Sequence, residues 1–189
     1  MGPISGPIVS AAVILAAHGD PIEGLRDSKA LSRPQRQRLE SEIRRLAIAI
    51  GVGAASVAEI ESLNVLCAAR LAMRRAIARV GAYDIAIVDG RPSRYDHFGP
   101  CRFFVGGDAL SASIACASIV AKETRDRLMR RLAIRHPEYG WERNAGYASR
   151  QHLDALREYG PTPYHRRGYR PVQARLALDE NIAAVGATA

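Results

Sequence analysis

Short apolar runs alternate with segments of helical periodicity along this chain, and this alternation limits the folds that it can adopt. The runs 9–15 (VSAAVIL) and 83–88 (YDIAIV) are short and largely apolar, which is typical of buried strands. Between them, a helix is predicted from Ser32, with an apolar face over 39–50 and a stop at Gly51. A second helix is predicted over roughly 60–80. Strands that alternate with helices predict an α/β fold.

The second half of the chain continues this pattern and then becomes helical and basic. CRFFV is a further short strand, and Ser111 or Ser113 can cap a long helix after it. Ser149 is expected to cap a short helix that ends at Gly160, and a last helix is expected from about Gln173. The inner face of the long helix is predicted from small and apolar residues: Ile114, Ala117, Ala121, Leu128 and Leu132.

The length of the chain indicates the number of domains, and its net charge indicates the class of binding partner. A chain of 189 residues suits one domain. We expect an α/β core over 1–140 and a C-terminal loop with helices over 141–189. Lys and Arg number 27 against 19 Asp and Glu, which gives a net charge of +8 and a pI near 9.9. Such a surplus favours a polyanionic partner, most often a nucleic acid.

The cysteines and the apolar runs indicate the compartment. The three cysteines are widely spaced and lack metal-ligand spacing, which predicts free thiols in a reducing cytoplasm. No apolar run approaches the length of a membrane span, and the first residues lack the pattern of a signal peptide. We therefore expect a cytoplasmic protein without a membrane partner. No oligomerisation signal is present, so a monomer is expected.

Two carboxylates stand out by their position. Asp89 ends the apolar run of AYDIAIVDG, and Asp108 follows the strand CRFFV and two glycines. Acids at strand ends of an α/β sheet can converge on one site, and a pair of hard oxygen ligands suits Mg²⁺ or Mn²⁺. With a basic surface, the pattern indicates phosphodiester chemistry that uses two metal ions. The alternative is that each Asp caps a turn beside its glycine.

Other polar groups could contact a nucleic acid. Asp27, Ser28 and Lys29 form a loop triplet that could grip a phosphate, or a plain surface loop. Tyr147 follows a glycine and could stack on a sugar or base, or pack in the core. His165 and Arg166, in the run HRR, could contact backbone phosphates or form ordinary surface.

Lys122 and Asp126 lie four residues apart on the predicted long helix, so an ion pair between them is possible. This pair could be a solvated surface pair. Alternatively, Arg125 and Asp126 could support a site at Asp108.

Seven segments in fixed order resemble bacterial ribonuclease HII over nearly the whole chain. They are GPISGPIVSAAVIL, GLRDSKALS, AIVDG, GGDALSASIACASIVAKETRD, HPEYGW, AGYASRQHLDAL and GPTPYHRRGYRPV. The resemblance implies a ribonuclease H-like mixed sheet flanked by helices, with a helical C-terminal portion. It also implies cleavage of the RNA strand of RNA–DNA hybrids, and of DNA at single embedded ribonucleotides, with Mn²⁺ or Mg²⁺ as cofactor.

The resemblance also implies roles for individual residues. Asp89 matches a metal-binding acid at the end of a central strand, and Asp108 matches the fourth acid of the family's carboxylate tetrad. Tyr147 matches the tyrosine that packs on the sugar at an RNA–DNA junction. The other matches are a loop that contacts the nucleic-acid backbone, Asp27, Ser28 and Lys29, and two supporting residues on the helix beside the site, Lys122 and Asp126.

The start of the chain departs from this family. The family's first strand ends in Asp-Glu, followed by a small residue and Gly-Arg-Gly, whereas here Gly2-Pro3 matches the tail of that motif and Met1 takes the arginine position. We therefore expect the first central strand and two of four acids to be missing, so that this chain binds metal weakly and cleaves poorly or not at all. A smaller departure is Asn144-Ala145, which replaces a basic pair and predicts the loss of one backbone contact.

Three hypotheses remain at this point. The first is a nuclease whose start codon was placed too late; it is favoured because Asp89 and Asp108 both persist. The second is a shortened paralogue that binds hybrid duplexes without cutting them. The third is a basic α/β binding module of another family.

Overall fold

The computed structural model describes residues 2–25, 28 and 30–186. Within these ranges it contains strands and helices in alternation, which confirms the predicted α/β class. In chain order the elements are β1 Ile8–Leu15, α1 Arg33–Leu46, β2 Ala47–Ala55, α2 Val57–Ile77, β3 Ala86–Asp89, β4 Cys101–Phe104, α3 Gly107–Leu110, α4 Ala112–Arg135, a 3₁₀ turn Pro137–Tyr139, α5 Trp141–Asn144, α6 Arg150–Tyr159 and α7 Arg170–Gly186.

The chain divides into two compact units, each built from separate stretches of sequence. The first comprises Met1–Pro7, Ser56–Asn64 and Arg125–Ala189, and the second comprises Ile8–Ala55 and Val65–Thr124. The predicted single domain, with its core over 1–140, stays a prediction. No helix within the described residues is long and apolar enough to cross a membrane.

In the second unit, β1 and β2 form an antiparallel pair whose register runs from Ile8 opposite Ala55 to Leu15 opposite Ala47. The predicted start of α1 is confirmed, because Ser32 is its N-cap and the backbone N–H of Ser32 donates to Gln35 Oε1 at 2.8 Å. The predicted stop at Gly51 is wrong. The helix ends at Leu46, and the following residues join the sheet as β2.

Two glycines explain why 47–55 is a strand. At Gly51 and Gly53, an added Cβ would collide with the carbonyl oxygens of Ala76 and Ala72 on α2. These glycines let α2 pack directly on the backbone of β2, while β1 supplies hydrogen bonds along its length. Neither partner is visible in the local pattern of apolar residues.

The other strand pair of the second unit is parallel. β3 and β4 pair from Ala86 opposite Cys101 to Asp89 opposite Phe104. Both strands were predicted, although β3 begins at Ala86 rather than at Tyr83. Because the pair is parallel, the carboxyl ends of both strands lie at the same edge of the sheet.

The core of the second unit lies between α1, α4 and β1. Its fully or nearly buried members are Val13, Leu31, Leu39, Ile43, Cys116, Ile119 and Val120. The predicted inner face of α4 is only partly right: Ile114 is buried, but Ala117 and Ala121 are half-buried. The buried Glu123 on this helix pairs with Arg36 Nε at 2.8 Å, which ties α4 to α1.

The first unit is organised around an aromatic cluster. The rings of Tyr139 and Trp141 stack with centroids 5.1 Å apart, and both residues are buried. The predicted cap of α6 is confirmed, because the Ser149 hydroxyl accepts from the backbone N–H of His152 at 3.2 Å. The last helix, α7, begins at Arg170, a few residues before the predicted Gln173.

Candidate functional site

The two predicted acids are positioned by the parallel strands of the second unit. Asp89 is the last residue of β3, and Asp108 lies in the first turn of α3, just beyond the end of β4. The backbone N–H of Gly107 donates to Asp89 Oδ1 at 2.9 Å. This bond joins the end of β3 to the residue that directly precedes Asp108, so the structure brings the two acidic positions together.

Glycines shape the turn that carries Asp108. Gly106 has φ +70°, a left-handed conformation that favours glycine. At Gly107, an added Cβ would lie 2.6 Å from Ile114 Cδ1, so a larger residue would have to displace that buried side chain. The left-handed conformation therefore favours glycine at position 106, whereas a Cβ at position 107 would require the end of the Ile114 side chain to shift.

Asp89 and Asp108 are the type of ligand that a hard divalent cation prefers, but two carboxylates are too few for a complete site. Asp89 and Asp108 offer carboxylate oxygens, which Mg²⁺ and Mn²⁺ prefer. Among the described residues, however, no group of three or more His, Cys, Asp or Glu side chains could hold a metal ion. A complete all-protein metal site is therefore not present in this part of the chain.

The loop predicted to contact a nucleic-acid backbone is described only at Ser28; Asp27 and Lys29 lie outside the described residues. Ser28 is buried, and its Oγ lies 2.8 Å from Ser118 Oγ on α4. Its hydroxyl therefore fastens the loop to the core of the second unit. Of the two supporting residues predicted on α4, Lys122 is half-buried and Asp126 is buried.

Tyr147 lies in a tightly held loop of the first unit, and its side chain is 43% exposed. This exposure disagrees with the alternative that the ring packs in the core. The loop turns through Ala145 and Gly146, both with positive φ, and a Cβ at Gly146 would lie 2.7 Å from the carbonyl oxygen of Ser5. The backbone N–H of Ile4 donates to Gly146 O at 2.9 Å. An accessible aromatic ring on a fixed loop can stack on a sugar or base.

The Arg125 side chain supports the loop that carries Tyr147. Its guanidinium donates to three carbonyl oxygens, those of Ala145 at 2.7 Å, Ser5 at 3.0 Å and Pro7 at 3.2 Å. Its Cζ lies 5.8 Å from the centroid of the Tyr147 ring, within cation–π range. Burial and the nearby charge of Arg166 lower the pKa of Arg125. These contacts make Arg125 a support of the Tyr147 loop, whereas the sequence suggested support of Asp108.

Two buried histidines complete the support of the Tyr147 loop. His152 Nδ1 donates to the carbonyl oxygen of Tyr147 at 2.8 Å, so its Nε2 is an acceptor and receives the Trp141 indole N–H at 3.1 Å. His165 Nδ1 accepts from the Thr162 N–H at 2.9 Å, so its Nε2 carries the proton and donates to His152 Nε2 at 3.1 Å. Burial lowers the pKa of His152, and burial and His152 lower that of His165 to about 3.

The predicted phosphate contacts at His165 and Arg166 are not supported, because their exposed fractions are 1% and 2%. The Arg166 guanidinium donates to the carbonyl oxygens of Gly6 at 2.9 Å and Pro7 at 3.3 Å. Arg166, together with a backbone bridge between His165 and Ser5, therefore fastens the first residues of the chain to the C-terminal part of the same unit. The run HRR suggests surface because its neighbours in space cannot be seen in the sequence.

Three supporting residues were missed or misassigned from sequence: Arg125, Asn144 and His152. Asn144, which was noted only as a departure from a basic pair, accepts from the Gly146 N–H at 2.8 Å and donates to the Tyr139 carbonyl oxygen at 2.8 Å. The signal for Asn144 in the sequence was a polar side chain directly before Ala145 and Gly146, where the chain turns. No spacing rule pointed to Arg125, whose partners Ser5 and Pro7 are distant in sequence, or to His152, whose ring bonds Tyr147 and Trp141 only in the folded loop.

Solved structures identify the fold. A ribonuclease H2 from Pyrococcus horikoshii matches with a TM-score of 0.71 at 24% identity, over 92% of each chain. Bst-RNase HIII in complex with Mn²⁺ matches with a TM-score of 0.76 at 18% identity, over 94% of this chain and 67% of that chain. The architecture is therefore the α/β fold of the ribonucleases H, as the resemblance implied.

Sequence comparison narrows the class to one family. The family model described as Ribonuclease HII matches residues 1–172. A Ribonuclease HII of Thermosynechococcus vestitus is 51% identical over 168 residues, 89% of this chain and 78% of the relative. One of Gluconobacter oxydans is 46% identical over 188 residues, 96% of this chain and 89% of the relative. The chain belongs to the ribonuclease HII family, a family of endonucleases that act on RNA–DNA hybrids. This excludes a binding module of another family.

Proposed function

We propose that the protein is an endoribonuclease that cleaves RNA in RNA–DNA hybrids and cuts DNA at embedded ribonucleotides. The observation that carries this proposal is the hydrogen bond from the Gly107 N–H to Asp89 Oδ1, which joins the two acidic strand ends. We assign Asp89 and Asp108 as the catalytic, metal-binding carboxylates. Mn²⁺ or Mg²⁺ is the cofactor that we propose, in a two-metal hydrolysis of the phosphodiester.

In this proposal the protein's own groups hold and orient the acids. The Gly107 N–H fixes the rotamer of Asp89 while it uses one of about four lone-pair positions of the carboxylate. The remaining positions can serve a cation. The first turn of α3 places Asp108 just beyond the end of β4, directly after the residue that bonds Asp89. Rigid support of this kind lowers the cost of assembling a charged site.

Substrate contacts are proposed at two loops. The exposed Tyr147 ring would pack on the sugar at the junction between RNA and DNA, held by Arg125 and His152. Asp27 and Lys29 would contact the nucleic-acid backbone on a loop that the buried Ser28 hydroxyl holds to Ser118, and the net charge of +8 favours binding of a polyanion. We propose that the protein acts as a monomer in the cytoplasm, which agrees with its three free cysteines.

We further propose that this 189-residue chain, acting alone, binds metal weakly and cleaves poorly. The support is that no group of three or more His, Cys, Asp or Glu side chains that could hold a metal ion is present among the described residues. Two carboxylates and the substrate's phosphates can hold Mg²⁺, but such a site depends on the substrate for its remaining ligands.

The test is cleavage of a DNA duplex that contains one ribonucleotide, in Mn²⁺, by this chain and by a form extended with an N-terminal strand that ends in Asp-Glu. We expect the extended form to cleave at least about 100-fold faster, the loss typical of removing a preorganised electrostatic group. In the extended form, Asp89→Asn should abolish cleavage, whereas Asp84→Asn, an exposed acid just before β3, should not. Equal, robust cleavage by both forms would contradict the proposed impairment.

A second candidate is a hybrid-duplex-binding protein that does not cleave. This candidate is favoured because no group of three or more potential metal ligands is present among the described residues. It predicts tight binding of an RNA–DNA hybrid by the 189-residue chain, with no cleavage by the extended form. The extended form therefore separates the two candidates.

A further inference from the structure

A cavity of about 550 Å³ in the first unit has no residue to which the proposed activity gives a role. Its lining comes from Pro7, the start of α2, the second half of α4 and the loop before α7, and all of these residues belong to the same unit. The lining is mainly apolar, and the volume falls within the roughly 300–1,000 Å³ of ligand-binding pockets. The cavity is therefore large enough for a ligand group.

One face of α4 supplies both apolar and basic groups to this lining. Leu128, Arg131, Leu132 and Arg135 line the cavity, and their spacing of three and four residues places them on the same face of the helix. The two leucines are half-buried, whereas both arginines are exposed. A ligand in the cavity would therefore contact apolar side chains inside and guanidinium groups at the rim.

The two guanidinium groups at the rim are not engaged by the protein. Neither Arg131 nor Arg135 forms a hydrogen bond or ion pair with any residue that the structure describes. Over 127–135 the helix carries four arginines and no acid. The positive charge at the cavity is therefore not neutralised by a described neighbour, and it favours a ligand with negative charge.

The walls of the cavity are fixed by contacts within the unit. Leu132 and Tyr164 pack against the aromatic cluster, and the Tyr164 ring lies edge-on to Trp141 with centroids 6.3 Å apart. At the start of α2, the backbone N–H of Ser56 donates to Glu59 Oε2 at 2.8 Å, so this acid caps its own helix. A preformed cavity spares a ligand the entropic cost of ordering the walls.

The surface beside the cavity also carries an apolar side chain. Ile134, three residues after Arg131 on α4, is 82% exposed. Single exposed apolar residues are common on proteins, but this one adjoins an apolar cavity. A partner that enters the cavity and continues along α4 would also cover Ile134.

We propose that this cavity binds an acidic peptide segment of a partner protein, whose large apolar side chain enters the cavity and whose carboxylates pair with Arg131 and Arg135. A nucleic-acid backbone would pair with the guanidinium groups but leave the apolar lining without a contact. A neutral apolar ligand would fill the cavity but leave the charges unpaired. An acidic peptide with an apolar anchor satisfies both parts of the surface. This inference does not depend on the nuclease activity.

The experiment titrates the 189-residue chain into rhodamine-labelled peptides that carry Leu, Ile, Phe or Trp between two pairs of Asp, with fluorescence anisotropy as the readout. We expect saturable binding that weakens as salt is added. Replacing the apolar residue by Ser should weaken binding at least about tenfold, because a buried apolar side chain is lost. Replacing the Asp residues by Asn should weaken binding about fivefold, because the charged contacts are lost.

Charge variants of the protein test the two arginines at the rim. The double variant Arg131→Gln and Arg135→Gln should weaken peptide binding about fivefold, as the Asn peptide does. The double variant Arg130→Gln and Arg143→Gln removes the same net charge from positions outside the lining and should change binding much less. All four positions are outside the buried core, so thermal unfolding should be unchanged.

A second pair of variants tests the cavity itself. Ala58 lines the cavity from an exposed position at the start of α2, so Ala58→Trp would place a ring in the space that the apolar anchor needs. It should weaken peptide binding at least about tenfold, the same loss as removal of the anchor. Ala174→Trp, at an exposed position of α7 outside the lining, is the control and should leave binding unchanged.

Three results would overturn the proposal. One is the absence of saturable binding by every peptide of the set. Another is an equal loss for both arginine double variants with no effect of Ala58→Trp, which would indicate general attraction between opposite charges. The third is an RNA–DNA hybrid that displaces the peptide and whose own affinity falls with Ala58→Trp, which would assign the cavity to a nucleic acid.

Discussion

The backbone N–H of Gly107 donates a 2.9 Å hydrogen bond to Oδ1 of Asp89. The bond crosses from the end of β3 to the turn after β4 and places the residue before Asp108 against the carboxylate of Asp89. The two acids therefore depend on one turn, and the turn depends on glycine at a position where a Cβ would approach Ile114.

Gly107→Ala tests this dependence. The added Cβ would meet Ile114 Cδ1, the far end of a side chain that can shift, so we expect a loss of about 1 kcal/mol in the free energy of unfolding, at the low end of overpacking. Urea denaturation measures it. Gly168→Ala is the control, because nothing lies within 4 Å of a Cβ there; its stability should be unchanged or slightly higher. Equal stability of both variants would contradict the tight turn.

Arg125→Ala should destabilise the first unit and disorder the Tyr147 loop. Three carbonyl oxygens lose a charged donor, and hydrogen bonds to charged groups contribute about 1.5–3 kcal/mol each. We expect a loss of several kcal/mol by urea denaturation and faster hydrogen exchange at 145–147. Arg131→Ala, an exposed position on the same helix, is the control and should change neither measurement.

Tyr147→Ala should weaken substrate binding with little effect on folding. The ring is 43% exposed, and stacking on a base is worth about 1–3 kcal/mol, so affinity for a duplex with one ribonucleotide should fall about 5- to 150-fold. Tyr147→Phe should retain most of the affinity. Tyr159→Ala removes a more exposed ring, 59% exposed, from α6 and should leave binding unchanged. Fluorescence anisotropy with labelled duplex measures all three variants.

Stability should fall in mild acid because of His152 and His165. Burial lowers the pKa of both, that of His165 to about 3, below the value near 6.5 of an unfolded histidine. Below about pH 6.5 the unfolded chain binds more protons at both positions, so the contribution of His165 is complete above about pH 6.5 and is lost as the pH falls towards 3, and that of His152 is lost in the same direction. The slope approaches about 1.4 kcal/mol per pH unit for each histidine.

Urea denaturation from pH 7.5 to 4.5 measures this slope. His165→Gln should flatten it, since an amide does not titrate in this range. His18→Gln, an exposed histidine of the other unit, should leave the slope unchanged. A wild-type stability that stays constant down to pH 4.5 would contradict neutral, buried histidines.

The sequence by itself determined the α/β class, the strand that ends at Asp89, the Ser149 cap and the family. Each of these rests on signals local in the chain: an apolar run that stops at an acid, a hydroxyl before a helix, or a motif in fixed order. Such signals can be recognised without knowing which residues are neighbours in the folded chain.

Only the tertiary structure decided the strand over 47–55, the burial of His165 and Arg166, and the partners of Arg125. In each case the deciding partner is far away in sequence. β2 exists because β1 pairs with it and α2 packs on its glycines, and Arg166 is buried because the first residues of the chain offer it carbonyl oxygens. Every residue has a backbone carbonyl oxygen, whatever its side chain. A hydrogen bond from a distant guanidinium to such an oxygen therefore cannot be read from the sequence and is visible only in the folded chain.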